Sequence, residues 1–118
     1  MSEETKATVT CGNHYPLYKF GTQEVKVQFT SSLYVGHSAI QGFVPMVNAL
    51  IKLPDGSDVM ATLFMNAMSV ARVIFPLWLE SVKAGSPQPL MGTYWTYSRE
   101  SEGRMSPYVV KPIEGKDW

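Results

Sequence analysis

The sequence has little charge and almost no cysteine. Charged residues are 17% of the 118 residues, and ten lysines and arginines balance ten aspartates and glutamates. This charge content is below the ~25% usual for globular domains and excludes a polybasic nucleic-acid coat. The lone cysteine, Cys11, cannot form an internal disulfide, and no Asn-x-Ser/Thr acceptor is present. Nothing therefore indicates secretion.

The apolar content is sufficient for one folded domain. Hydrophobic residues are 45% of the chain, which excludes disorder as its main character. We expect a single β-rich domain over residues 6–113, between a flexible N-terminus (1–5) and a C-terminal tail (114–118). The acidic start lacks the features of a signal peptide, and polar residues interrupt the apolar stretch 59–79. A cytoplasmic location, the host cytoplasm for a viral protein, and no membrane contact are predicted.

Alternation of apolar and polar residues predicts strands in the first half. Val25, Val27 and Phe29 alternate with polar residues, which predicts a half-buried strand over 24–34. A similar pattern predicts an extra N-terminal strand at 6–11. Residues 32–45 read as the end of a strand followed by a loop, because glycines and a proline interrupt them.

Two hairpins flank a helix in the rest of the chain. Apolar runs at 46–53 and 58–65 surround Pro54-Asp55-Gly56-Ser57, a turn sequence, and both faces of this hairpin are apolar enough for a central position. The spacing of polar residues changes to three and four over 66–84, which predicts a helix. Strands at 92–99 and 107–113 complete the second hairpin.

The ends of the helix carry turn signals. Asn66 is a candidate N-cap, and Gly85 is a candidate for the position after the C-cap. Pro76 lies on the polar stripe of the helix, which predicts either a kinked helix or two abutting helices.

No residue pattern indicates catalysis or a bound metal. Cys11-x-x-His14 with His37 supplies half of a zinc site at most. The chain has neither a nucleophile elbow nor a phosphate-binding glycine loop, and its paired carboxylates lie in predicted turns. We therefore predict a non-enzyme without catalytic residues, cofactor or metal.

The last hairpin is rich in aromatic and cationic residues. They are Tyr94, Trp95, Tyr97, Arg99, Arg104, Tyr108 and Lys111. Exposed rings on a sheet stack on the bases of single-stranded nucleic acid, while nearby cations follow the phosphates. Alternation places Tyr94 on one face and Trp95 with Tyr97 on the other, and leaves open which face is buried. The alternative is that all these rings cover the helix.

The order of the elements resembles that of the OB-fold. Three strands, a helix and two strands are similar to the five-stranded Greek-key barrel of small viral proteins that bind single-stranded DNA. The expected fold is an α+β, mostly β, OB-like five-stranded antiparallel barrel with one helix between strands 3 and 4, plus the extra N-terminal strand. By position, the resemblance nominates Lys52, Thr62, Trp95, Tyr97, Arg99 and Arg104 for contact with the nucleic acid. Lys26 adds a further cation on a predicted strand.

The C-terminus is similar to the acidic tails of some single-stranded-DNA-binding proteins. Glu114-Gly115-Lys116-Asp117-Trp118 ends in an aromatic residue, as do tails that dock protein partners. Trp118 could equally fold back onto the barrel or mark a subunit contact in a homo-oligomer. The predicted function is non-catalytic binding of single-stranded nucleic acid. The alternatives are a viral or accessory module that binds and blocks a partner protein, or a small phosphate-ligand binding protein.

Overall fold

The computed structural model describes residues 15–38, 42–103 and 106–118. The described part is mostly β, with 41% strand, 19% helix and one α-helix. The elements are β1 (Val25–Phe29), β2 (Tyr34–Ser38), β3 (Gly42–Lys52), β4 (Asp58–Phe64), α1 (Met68–Lys83), β5 (Tyr94–Arg99) and β6 (Tyr108–Ile113), followed by a short 3₁₀ helix (Gly115–Asp117). The strand predicted at 6–11 and the N-terminus 1–5 lie outside the described residues.

The six strands form one antiparallel sheet, organised around β3. The first half of β3 pairs with β2, and the second half pairs with β1 on the same edge. The opposite edge of β3 pairs with β4. The sheet continues from β1 to β5 and then to β6. Among the described residues, β2, β4 and β6 each pair with one strand only and are therefore the edge strands.

The sheet is not closed into a barrel, because no pairing between β4 and β6 occurs in the described residues. Two elements occupy this seam. Helix α1 packs against β6. The segment 15–21 crosses from β4, where Leu17 bridges Thr62, to the end of β5, where the Arg99 N–H donates to the Gly21 carbonyl at 2.9 Å. The expected closed barrel is thus not confirmed.

Strand β1 has the alternation that its sequence predicts. Val25, Val27 and Phe29 are buried in the core, whereas Lys26 and Gln28 are only partly buried. Because β1 pairs with β3 on one side and β5 on the other, its apolar face forms the centre of the core.

The strand predicted over 24–34 is divided, and this prediction is corrected. The Thr30 N–H still donates to the Asn48 carbonyl, and residues 31–33 then leave the ladder, with serine side chains there bonded to the backbone of other segments. Ser31 Oγ accepts the Asn48 N–H at 3.0 Å, and Ser32 Oγ donates to the Pro89 carbonyl at 2.9 Å. The chain then forms β2 and an early start of β3, where a strand end and a loop were expected.

The Pro54-Asp55-Gly56-Ser57 turn between β3 and β4 is confirmed. Gly56 has a φ of 92°, which glycine adopts without strain. The Asp55 carboxylate accepts hydrogen bonds from the Ser57 hydroxyl and N–H, and these bonds lower its pKa. Of the two strands of this hairpin, only β3 has the expected central position. Among the described residues, β4 pairs with β3 and with no other strand, so β4 lies at an edge of the sheet.

Helix α1 forms with Pro76 inside it, on the exposed side as predicted. Gly85 follows the C-cap with a φ of 85°. The N-cap prediction is corrected: the cap position is Ala67 rather than Asn66, and no side chain caps the first turn. Within the described ranges, no helix is long and apolar enough to cross a membrane.

Two aliphatic residues of α1 test this packing. Ile74 is fully buried, whereas Leu79 is 46% exposed. We expect Ile74→Ala to lower the free energy of unfolding by about 2–5 kcal/mol, because it leaves a cavity in the core. The matched variant Leu79→Ala should change it by less than about 0.5 kcal/mol. Urea denaturation measures both, and equal losses would contradict the packing of this helix.

Candidate functional site

Strand β5 turns Trp95 and Tyr97 into the core, which corrects their assignment as stacking residues. Trp95 is 1% exposed and Tyr97 is 2% exposed. The Trp95 ring stacks on Phe29 with centroids 5.2 Å apart, and its Nε1–H donates to Thr93 Oγ1 at 2.8 Å. Both rings are structural, and Tyr94 occupies the opposite face.

Thr62 is also buried, so its assignment to a nucleic-acid contact is corrected too. It belongs to a network that fixes the segment before β1. Its hydroxyl donates to Asn48 Oδ1 at 3.1 Å and accepts the Tyr15 N–H at 2.8 Å. Asn48 Oδ1 also accepts the Tyr34 hydroxyl at 2.6 Å, and burial raises the pKa of that hydroxyl.

Arg99 and Tyr108 order the loop between β5 and β6. Arg99 Nη2 donates to the carbonyls of Gly103 at 3.0 Å and Ser106 at 3.2 Å. Its guanidinium carbon lies 5.1 Å from the centroid of the Tyr108 ring. The Tyr108 N–H donates to Ser69 Oγ at 3.0 Å and ties this strand to α1. Arg104 lies outside the described residues.

The remaining predicted cations share one face of the sheet. Lys26 is directly opposite Lys52 on β3 and Thr96 on β5, and Thr96 is directly opposite Lys111 on β6. Residues directly opposite in antiparallel strands project to the same side. Lys52, Lys26, Thr96 and Lys111 therefore form one row across four strands, here named the lysine row. Asp58, opposite Lys52, ends the row on β4.

The lysine row is electrostatically costly. Neighbouring strands are about 4.8 Å apart, so Lys26 and Lys52 are adjacent cations and Lys111 is about 10 Å from Lys26. Like charges directly opposite in a sheet destabilise it. In a chain of zero net charge, this arrangement concentrates positive charge on one face.

Tyr94 lies on the same face as the row. It is opposite Gln28, two positions after Lys26 on β1. Side chains two positions apart in a strand share a face, so Tyr94 and Gln28 form a second row beside the lysines. Of the predicted site residues, the structure thus brings together Lys26, Lys52, Lys111 and Tyr94.

The last residues of the chain fold onto this face. Lys26 Nζ donates to the Asp117 carbonyl at 2.5 Å, and Lys52 Nζ donates to the main-chain oxygen of Trp118 at 3.0 Å. The Trp118 ring lies 4.7 Å from Lys52 Nζ and 5.3 Å from the centroid of the Tyr94 ring. Of the alternatives for Trp118, the structure has the ring folded back.

Sequence reasoning missed an exposed apolar ribbon formed by β2 and the start of β3. Phe43 is 78% exposed and Val35 is 62% exposed. Phe43 is opposite His37, and their rings lie 5.0 Å apart. The glycines and the proline of this stretch predict a strand end and a loop, and they obscure the alternation. Cys11 and His14, the other members of the half zinc site, lie outside the described residues.

Comparison with known proteins does not assign the chain to a family. No protein-family model matches the chain, and neither a curated protein nor a solved structure is significantly similar to it.

Replacing Thr62 tests its structural role. We expect Thr62→Val to lower the free energy of unfolding by about 1–3 kcal/mol, because it leaves the Tyr15 N–H without its acceptor in a partly buried position. Thr30→Val is the matched control, since that side chain is exposed and should change stability by less than about 0.5 kcal/mol. Thermal denaturation measures both. A Thr62→Val protein as stable as the wild type would contradict this structural role.

Proposed function

We propose that this protein binds single-stranded nucleic acid without catalysing a reaction, and that the lysine row and Tyr94 form the contact surface. The observation that carries the proposal is the way the C-terminal residues occupy this surface. The ammonium groups of Lys26 and Lys52 donate hydrogen bonds to main-chain oxygens, and the Tyr94 ring contacts the Trp118 ring. A nucleotide offers the same pair of groups, with phosphate oxygens for the lysines and a base for the tyrosine.

The charge of the surface supports a modest, salt-sensitive affinity. Three lysines that neutralise three phosphates give a slope of about −2 for log K against log salt, since single strands contribute about −0.7 per phosphate. Such a surface suits binding that is independent of sequence, because Tyr94 and the lysines recognise features common to all nucleotides.

The strand order supports the resemblance to the OB-fold. If β1 and β2 are counted as one interrupted strand along the same edge of β3, five strands remain, with α1 between the third and the fourth. This is the plan of the OB-fold. In our proposal α1 and the segment 15–21 take the place of the missing pairing between β4 and β6.

The exposed ribbon favours a second candidate, a module that binds a partner protein. Phe43 and Val35 present apolar area that a nucleic acid bound at the lysine row would leave uncovered. Exposed apolar patches mark protein contacts when they are contiguous. This candidate predicts that variants of Phe43, and not of the lysines, abolish binding to a partner.

Loss of the row lysines is the main test of the proposal. We expect the wild-type protein to raise the fluorescence anisotropy of a labelled thymidine oligonucleotide at low salt, and less at high salt. Lys26→Ala and Lys111→Ala should each weaken binding and make the salt slope shallower by about 0.7, because each removes one phosphate contact.

The matched control is Lys83→Ala, which removes an exposed lysine from α1, far in sequence from the row. It should leave affinity and slope unchanged. No anisotropy change at any salt would exclude the nucleic-acid function, and equal effects of Lys83 and Lys26 would show that the row is not the surface. Binding of a mononucleotide as tightly as the oligonucleotide would favour a phosphate-ligand protein instead.

Trp118 provides a separate test, because the proposal makes it a competitor for the surface. We expect Trp118→Ala to tighten binding of the oligonucleotide about twofold to fivefold, the equivalent of one exposed cation–π contact of about 0.5–1 kcal/mol. Tryptophan emission gives an independent readout when the wild type is compared with Trp118→Ala, since Trp78 and Trp95 emit in both proteins and Trp118 is the indole beside Tyr94. Weaker binding by Trp118→Ala would mean that this ring belongs to the surface rather than covering it.

A further inference from the structure

A cavity of about 360 Å³ lies at the seam between β4 and β6. The segment 15–21, the end of β4, the first turn of α1 and the strands β5 and β6 all contribute to its lining. Ligand sites in proteins begin at about 300 Å³ and are mostly apolar, with a few placed polar groups. The cavity is therefore large enough for a small molecule.

Aromatic rings dominate the lining. Phe20 stacks on Tyr97 with centroids 4.9 Å apart and an interplanar angle of 24°. Tyr18 meets the same Phe20 ring edge-on at 4.9 Å, and Tyr108 does so at 6.1 Å. Phe64 adds a ring from the end of β4. Clustered rings favour a planar aromatic occupant, because it can stack or pack edge-to-face against them.

The hydroxyl of Tyr97 has no hydrogen-bond partner among the described residues, although it is buried. Most buried polar groups in proteins are paired, so this one requires an explanation. Burial raises the pKa of Tyr97, so that the hydroxyl keeps its proton and can donate it. This hydroxyl therefore favours an acceptor atom on the occupant.

The lining carries no formal charge. Its residues include no lysine, arginine, histidine, aspartate or glutamate. Arg99, which lies over the Tyr108 ring, is engaged with the loop carbonyls of Gly103 and Ser106. A phosphate or carboxylate group inside the cavity would find no counter-ion there, and burial of an unpaired charge is costly.

We propose that this cavity binds an uncharged aromatic heterocycle of nucleobase or nucleoside size, stacked against Phe20 and Tyr108 and accepting a hydrogen bond from Tyr97. This site is separate from the lysine row, because Tyr97 points to the core face of β5 and the row lies on the other face. The two proposals can therefore fail independently.

The test is a titration of the ¹⁵N-labelled protein with adenosine and with thymidine, followed by NMR. We expect saturable shifts for the amides of Leu63, Ala67 and Val70, and weaker ones with adenosine monophosphate, whose phosphate finds no cation in the cavity. Tyr97→Phe should weaken nucleoside binding about twofold to tenfold, the range for one neutral hydrogen bond.

Thr30→Val is the control, since it removes an exposed hydroxyl at a position outside both the cavity lining and the lysine row, and it should not change nucleoside binding. Tyr97→Phe should fold, because it removes an unpartnered polar atom, and its thermal midpoint should equal or exceed that of the wild type. Absence of saturable shifts at millimolar nucleoside, or equal affinity in Tyr97→Phe, would overturn the proposal. Nucleoside binding that survives Lys26→Ala while oligonucleotide binding is lost would confirm that the sites are distinct.

Discussion

The alternation of β1 is the constraint on which the rest of the structure depends. Val25, Val27 and Phe29 fill the centre of the core, and β1 is hydrogen-bonded on both edges. A shift of one residue in its pairing would bring Lys26 into the core and Val27 to the surface. The burial of two valines and a phenylalanine therefore fixes the register, and the register places Lys26 opposite Lys52. The lysine row is a consequence of core packing.

The chain supplies acceptors for that row. Opposed ammonium groups repel, and the sheet offers one carboxylate at its end, Asp58. The turn at 115–117 brings main-chain oxygens to both Lys26 and Lys52. The Asp117 carbonyl carries only a partial charge, so it compensates Lys26 less completely than a phosphate would. In our proposal a phosphate group replaces these oxygens as the acceptor for the lysines.

The features that follow from local sequence were predictable, and those that depend on distant contacts were not. The alternation of β1, the turn at Gly56 and the helix with an exposed Pro76 all follow from spacing or turn chemistry. The break at 30–33 depends on acceptors and donors at Asn48 and Pro89, which no local pattern reveals. The choice between the faces of β5 was open for the same reason, since both carry aromatic rings. Contact with β1 decides which face is buried, because the Trp95 ring stacks on Phe29 in the core.

The two faces of β5 have opposite chemistry because they have opposite access to water. On the outer face Tyr94 lies among lysines, whose ammonium groups stay hydrated and attract anions. On the inner face Tyr97 lies among rings, where an ion would lose its hydration without gaining a partner. One strand thus separates a charged surface from an uncharged cavity. In our two proposals an anionic polymer binds the first and an uncharged ligand binds the second, so the two sites select ligands of different charge.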